Sequence, residues 1–252
     1  MIDQVETIKP DNKFLSTLTS DYRSVTNMPK DLSVKDDIKY GLLALKKWSE
    51  ESGGNETAGV MWVNPLGDIS FKELAKGSED MVPIHILDLT KYSPEEAERY
   101  LNQFKLREKT FVLLPEHTVE TVTLPGDHIV ERGKKVLGSV HVHPSGNPPS
   151  AGDFTLALFF QEQAVKGVIA GDELYLFVRT KETPQLDITV NQDNSNNMMD
   201  YQRAMEQEIE DLEKKGLTTP DARNQILIKH VHQNNITLYK GTIAENNFQK
   251  II

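Results

Sequence analysis

In "SVKDDIKYGLLALKKWSEESGG" the apolar positions Ile38, Leu42, Leu45 and Trp48 recur at the spacing of one helical face, with Ser33 placed to cap the start and Gly53-Gly54 to stop the run. The pattern then changes. "ETAGVMWV" and "DISFKEL" are β-prone runs flanking Asn64-Pro65-Leu66-Gly67, which predicts a hairpin. "SPEEAERYLNQFKLRE" puts a proline at the first helical position and acids in the first turn, so it predicts a second helix. "TFVLL", "HTVETVTL" and "KVLGSVHVH" predict strands, the last of them buried and ending at Pro144. "DFTLALFFQEQAVKG" predicts a largely buried helix, and "GVIA" and "ELYLFV" two short strands about a Gly171-Asp172 turn. Helix and strand alternate, so the expected class is mixed α/β.

The two ends read differently. Residues 1–32 are polar and broken by Pro10 and Pro29, an N-terminal extension to a domain over 33–184. From 185 to 252 a C-terminal helical extension is expected. In it "NQDNSNN" at 191–197 reads as a loop or linker. "MMDYQRAMEQEIEDLEKKG" reads as an amphipathic helix with Met198, Met205 and Leu212 seven apart, Ile209 between them and Gly216 at its end. "TPDARNQILIKHVH" reads as another helix opened by Pro220, and "ITLYKG" as a last strand.

Composition narrows the chemistry. The 38 acidic and 28 basic side chains give a formal charge of −10, with no basic patch to draw in a phosphate backbone or an anionic membrane surface. With no cysteine, disulfides, thiolate metal sites and cysteine nucleophiles are excluded, so a metal would have to be held by His, Asp, Glu or backbone oxygen. No stretch approaches the length of an apolar bilayer span, and the first residues lack the pattern of a secretory signal, so a soluble, cytoplasmic protein is expected.

His-Val-His occurs twice, in "HVHPSGNPPSAGD" at 141–153 and in "HVHQNN" at 230–235. On a strand, residues i and i+2 share a face and can chelate one ion; on a helix they point apart. The second copy lies in an expected helix with no carboxylate close behind it, so His230 and His232 are set aside. The first lies at a strand end, where His141 and His143 are followed by a Pro/Gly loop, then Ser150 and Asp153 at a helix start. Such an arrangement can close three ligands round an ion and leave a fourth position to water. Ser150-Ala-Gly-Asp153 also reads as a capping box, and one aspartate can serve both purposes.

"HVHPSGNPPSAGD" resembles the signature of the JAMM metalloproteases of the MPN-domain superfamily, also called JAB domains, in which His-x-His-Pro is followed by a loop and Ser-x-x-Asp. The resemblance covers about Ser33 to Thr180 and implies an MPN-like mixed sheet flanked by helices, with terminal extensions. It implies zinc on His141, His143 and Asp153, oxyanion support from Ser150, and an acid–base glutamate just before an early strand. "ETAGVMWV" offers Glu56 for that role, with Glu73 and Glu120 in reserve. The implied activity is zinc-dependent hydrolysis of an amide or isopeptide bond in a protein or peptide substrate, a ubiquitin-like modifier being one class; no nucleic acid and no membrane partner are expected. Two departures stand out: six residues, Pro144 to Pro149, separate His143 from Ser150 where the family commonly has seven, and the stretch from Lys76 to Asp127 is longer than usual. Two other functions remain open, a non-catalytic MPN-type scaffold in a protein complex and a nucleic-acid-associated protein like the RadC group, whose "HNHPSG" loops "HVHPSG" resembles.

Overall fold

The computed structural model describes residues 28–63, 69–78, 86–103, 110–116, 129–160, 163–184, 186 and 192–252. In chain order, β1 (Asp31–Leu32), α1 (Asp36–Glu51), β2 (Thr57–Val63) and β3 (Ile69–Lys76) come first. Then follow β4 (Ile86–Asp88), α2 (Pro94–Gln103), β5 (Phe111–Leu114) and β6 (Ile129–Arg132). Next are β7 (Lys135–His143), α3 (Ala151–Phe159), β8 (Val165–Ala170) and β9 (Glu173–Arg179). The last are α4 (Gln192–Glu213), α5 (Thr219–Gln233), β10 (Ile236–Thr242) and β11 (Phe248–Lys250). These elements make a mixed α/β fold, with an eight-stranded mixed sheet ordered β1-β11-β10-β9-β8-β7-β2-β3 and a parallel sheet ordered β4-β5-β6. Within the large sheet only the β7–β8 pair is parallel, and the chain crosses between those two strands through α3.

Alternation along β7 decides what lies on each side of the large sheet. Val140 and Val142 point to the face covered by α1, where Ile38, Leu42 and Leu45 meet Met61, Val165, Ile169 and Leu176 in the largest core cluster. Ser139, His141 and His143 point to the other face. There α3 buries Phe154, Ala157 and Leu158 against Val168, Tyr175 and Phe177, and α4 and α5 close over it with Met205, Leu227 and Val231. The remaining part of that face, over β2, β3 and β7, is covered by the small sheet: Phe111 and Leu113 pack on Val60, Trp62, Leu74 and Val136. The alternate residues of β5, Val112 and Leu114, face Ala97 and Leu101 of α2. The strand residues "FVLL" are therefore apolar throughout because β5 is buried on both faces.

The hairpin, the first two helices and the strand carrying the first His-Val-His form as the patterns predict, except that α1 starts later than expected: its N-cap is Lys35, not Ser33, and no side chain caps it. The turn at 64–67, the end of the second predicted helix at 104–108, the strand "HTVETVTL" at 117–124 and Glu120 lie outside the described residues. Several expectations need correction. The helix expected over 153–167 ends at Phe159, and from Val165 the chain is strand β8, paired in parallel with β7; a short apolar run does not reveal by period alone whether it is strand or helix. Polar "NQDNSNN" is helical from Gln192, because α4 is anchored by Met198, Tyr201, Met205 and Ile209 and extending a packed helix costs little per residue. "ITLYKG" is not the last strand: β11 follows and pairs with both β10 and β1. Three of the eight strands of the large sheet, β1, β10 and β11, thus come from the terminal segments 1–32 and 185–252.

Candidate metal centre

β7 delivers two imidazoles to one side, and the loop after it fixes them. His143 Nδ1 lies 3.0 Å from the Asn147 carbonyl oxygen, to which it donates. That bond places the ring proton on Nδ1 and turns the Nε2 lone pair inward. The loop can fold back this tightly because Gly146, whose N–H donates to the His143 carbonyl, sits at φ +70°, where a side chain would be strained. Pro148 and Pro149 are buried and lead to Ser150, the N-cap of α3.

The capping box is present. Ser150 donates both N–H and O–H to Asp153 Oδ2, each at 2.7 Å, and Asp153 N–H donates back to Ser150 Oγ at 3.2 Å. It locks Asp153 in one orientation, with Oδ1 2.9 Å from His141 Nε2 and Oδ2 3.3 Å from His143 Nε2. Glu56 arrives from the opposite side. Gly53 and Gly54, both at φ +78°, turn the chain after α1, Ser49 Oγ donates to the Asn55 carbonyl at 2.7 Å, and Thr57 Oγ1 donates to the Leu45 carbonyl at 3.0 Å. Glu56 also exchanges backbone hydrogen bonds with Gly77 and Ser78, which extends the β2–β3 ladder by one pair. Its Oε1 stops 3.9 Å from His143 Nε2.

Glu56, His141 and His143 are buried and offer ligand atoms within 4.8 Å of one another, a cluster that could hold a metal ion; among the described residues it is the only such cluster. The Asp153 oxygens lie closer still to both imidazoles. Donors in tetrahedral contact with zinc at roughly 2.0–2.1 Å stand about 3.3 Å apart. The separations here are 2.9 Å (His141–Asp153), 3.1 Å (His141 Nε2–His143 Nε2) and 3.3 Å (His143–Asp153). Two imidazole nitrogens and carboxylate oxygens, without a thiolate, suit zinc and neighbouring divalent transition metals. The residues therefore fit such an ion.

Electrostatics point the same way. Burial works against ionising Asp153, but the charge and hydrogen bonds of His141 and His143 outweigh it and hold the carboxyl well below its ordinary range. Burial also works against a charged His143; the hydrogen bond and charge of Asp153, the Asn147 carbonyl and the charge of Glu56 together raise its pKa. The pocket thus favours positive charge at the place where the two Nε2 atoms converge.

All four residues singled out as ligands or base come together, with Ser150 beside them; Glu73, paired across the hairpin with Gly59, is not in the cluster. The second histidine pair is separated by α5. His230 is buried between Tyr201 Oη, 2.7 Å from Nδ1, and Glu208, 3.2 Å from Nε2, while His232 is exposed. Sequence reasoning missed the hydrogen-bonding supports Asn147 and Ser49, and the buried Lys166 beneath the site. Only Lys166 left a signal, a lone charge inside the apolar run "AVKGVIA". No protein-family model matches the chain, and no curated protein matches its sequence.

Proposed function

We propose that the chain is a zinc-dependent hydrolase of the JAMM type, cleaving an amide or isopeptide bond in a protein or peptide. What supports this reading is the division of the acids: Asp153 touches both imidazoles at 2.9 and 3.3 Å, whereas Glu56 stands back at 3.9 Å. Asp153, His141 and His143 would hold the ion, and Glu56 is left to handle protons. Such an ion supplies a Lewis acid for the carbonyl and makes water acidic enough to attack near neutral pH. Glu56 Oε1 accepts the proton of the attacking water and passes it to the departing amine, so one carboxylate serves as base and then acid. Burial of Glu56 and both histidines excludes bulk water and strengthens each of these interactions. Ser150 has its hydroxyl on Asp153 Oδ2, so its first service is to orient the ligand carboxylate; supporting an oxyanion requires that hydroxyl to turn away.

A ubiquitin-like modifier joined to a lysine is the substrate class to try first. The test compares Glu56→Gln with the parent on a panel of isopeptide- and peptide-linked fluorogenic substrates. The variant should keep the metal and lose turnover by roughly a hundredfold or more. Equal turnover by both proteins would overturn the role of Glu56, and no turnover of any amide by the metal-loaded parent would overturn the hydrolase reading.

A further inference from the structure

Behind the ligands, on the same face of the sheet, lies an ionisable group that the proposed chemistry does not use. The parallel register sets Lys166 beside Ser139 and Val168 beside His141, so Lys166 on β8 shares the face of both histidines. It is 7 % exposed. Its Nζ donates to Ser139 Oγ at 2.8 Å, and Ser139 passes its own proton to Gln163 Oε1 at 2.7 Å. Among the described residues no carboxylate lies within ion-pair distance of that ammonium, which is unusual for a buried lysine. Burial lowers its pKa to about 8 and the charge of Asp153 works the other way, so it remains mostly protonated at neutral pH.

A buried cation without an ion-pair partner needs negative charge nearby, and buried carboxylates need positive charge. We infer that Lys166 is a built-in counter-charge to Asp153 of the metal centre and sets the centre's affinity for a divalent cation. In this role it offsets the Asp153 carboxylate in the metal-free protein, and it repels a dication seated between His141, His143 and Asp153. Water does not screen that repulsion, since the lysine and the ligands are all buried. Lys166 therefore limits how tightly the centre holds its ion. The inference rests on the reading of the cluster as a metal centre.

The sign of the effect separates this role from a structural one. A lysine that merely braced β8 against β7 would, when removed, loosen the ligands and weaken binding. A counter-charge, when removed, strengthens it. The full-length protein is stripped with a chelator and titrated with cobalt(II) at neutral pH, reading the ligand-field absorption of the ion, for the parent, Lys166→Met and Lys166→Gln. Methionine keeps the apolar stem, and glutamine keeps a donor for Ser139, so a folded protein is expected from at least one. Each folded variant should bind cobalt roughly tenfold tighter or more. Parent-like or weaker binding by the folded variants overturns the inference while leaving the metal centre intact. Failure of the parent to bind cobalt overturns the metal centre itself and the inference with it.

Discussion

Replacing Lys166 by methionine should change how the stability of the metal-free protein depends on pH. The folded chain releases this proton at about 8, whereas a solvated lysine releases it at 10.5. Below both values each state is protonated and folding carries the full cost of burying the ammonium. Between them the unfolded chain binds more protons than the folded one, so stability rises with pH. Integrating over the interval from about pH 7 to about pH 10 gives a gain on the order of 2–3 kcal/mol for the parent. Lys166→Met has no such proton to lose and lacks the gain. Tyr175 and Tyr201, both pushed up by burial, lower stability near the top of this range, but they do so in parent and variant alike and cancel in the difference. The assay is urea denaturation of chelator-treated parent and variant at several values from about pH 7 to about pH 10. Their stabilities should diverge in the parent's favour as pH rises. Parallel profiles, agreeing to within about 0.5 kcal/mol over the whole range, would refute a buried, depressed lysine at this position.

Ser150→Ala removes the N-cap of α3 and one donor to Asp153 Oδ2, so it should cost about 1 kcal/mol of stability in denaturant titrations. It should also weaken metal binding roughly tenfold or more, and an unchanged affinity would show that the cap does not orient the ligand. Gly138→Ala should destabilise the protein by about 3 kcal/mol or more, because the added Cβ would stand 1.8 Å from the Val165 carbonyl oxygen in the neighbouring strand; a loss under about 1 kcal/mol would contradict the β7–β8 register. The His230→Ala, His232→Ala double variant should lose stability, since Tyr201 and Glu208 both give up a partner, yet keep the parent's metal stoichiometry by elemental analysis. Loss of the metal in that variant would mean that the wrong histidine pair had been chosen.

Local signals carried much of the candidate site. A strand-end His-x-His, a proline and glycine loop and a capping box are all short-range features, and each of their side chains lies where its own element puts it. Glu56 was approachable for the same reason, since it follows a strongly periodic helix and opens a hairpin. What the sequence hid depends on partners far along the chain. Strand β11 is strand because it pairs with β10, and β1 because it pairs with β11 more than two hundred residues later. The run "AVKGVIA" contains an apolar stretch compatible with helix or strand, and pairing with β7 decides between them. Lys166 follows from that decision: at the end of a helix it would have read as a solvated charge, but in the strand it lies under the ligands. The parallel β4-β5-β6 layer was likewise hidden, because "TFVLL" shows that a strand is buried on both faces without saying which sheet it joins.

The most direct test of the central claim is the metal content of protein purified without added metal, measured by elemental analysis for the parent and for His141→Ala, His143→Ala and Asp153→Ala, each checked for folding. The parent should carry about one zinc per chain and the three folded variants little or none. A parent that carries no divalent metal and takes none up from solution, or a folded His141→Ala, His143→Ala double variant that still carries one ion per chain, would contradict the claim.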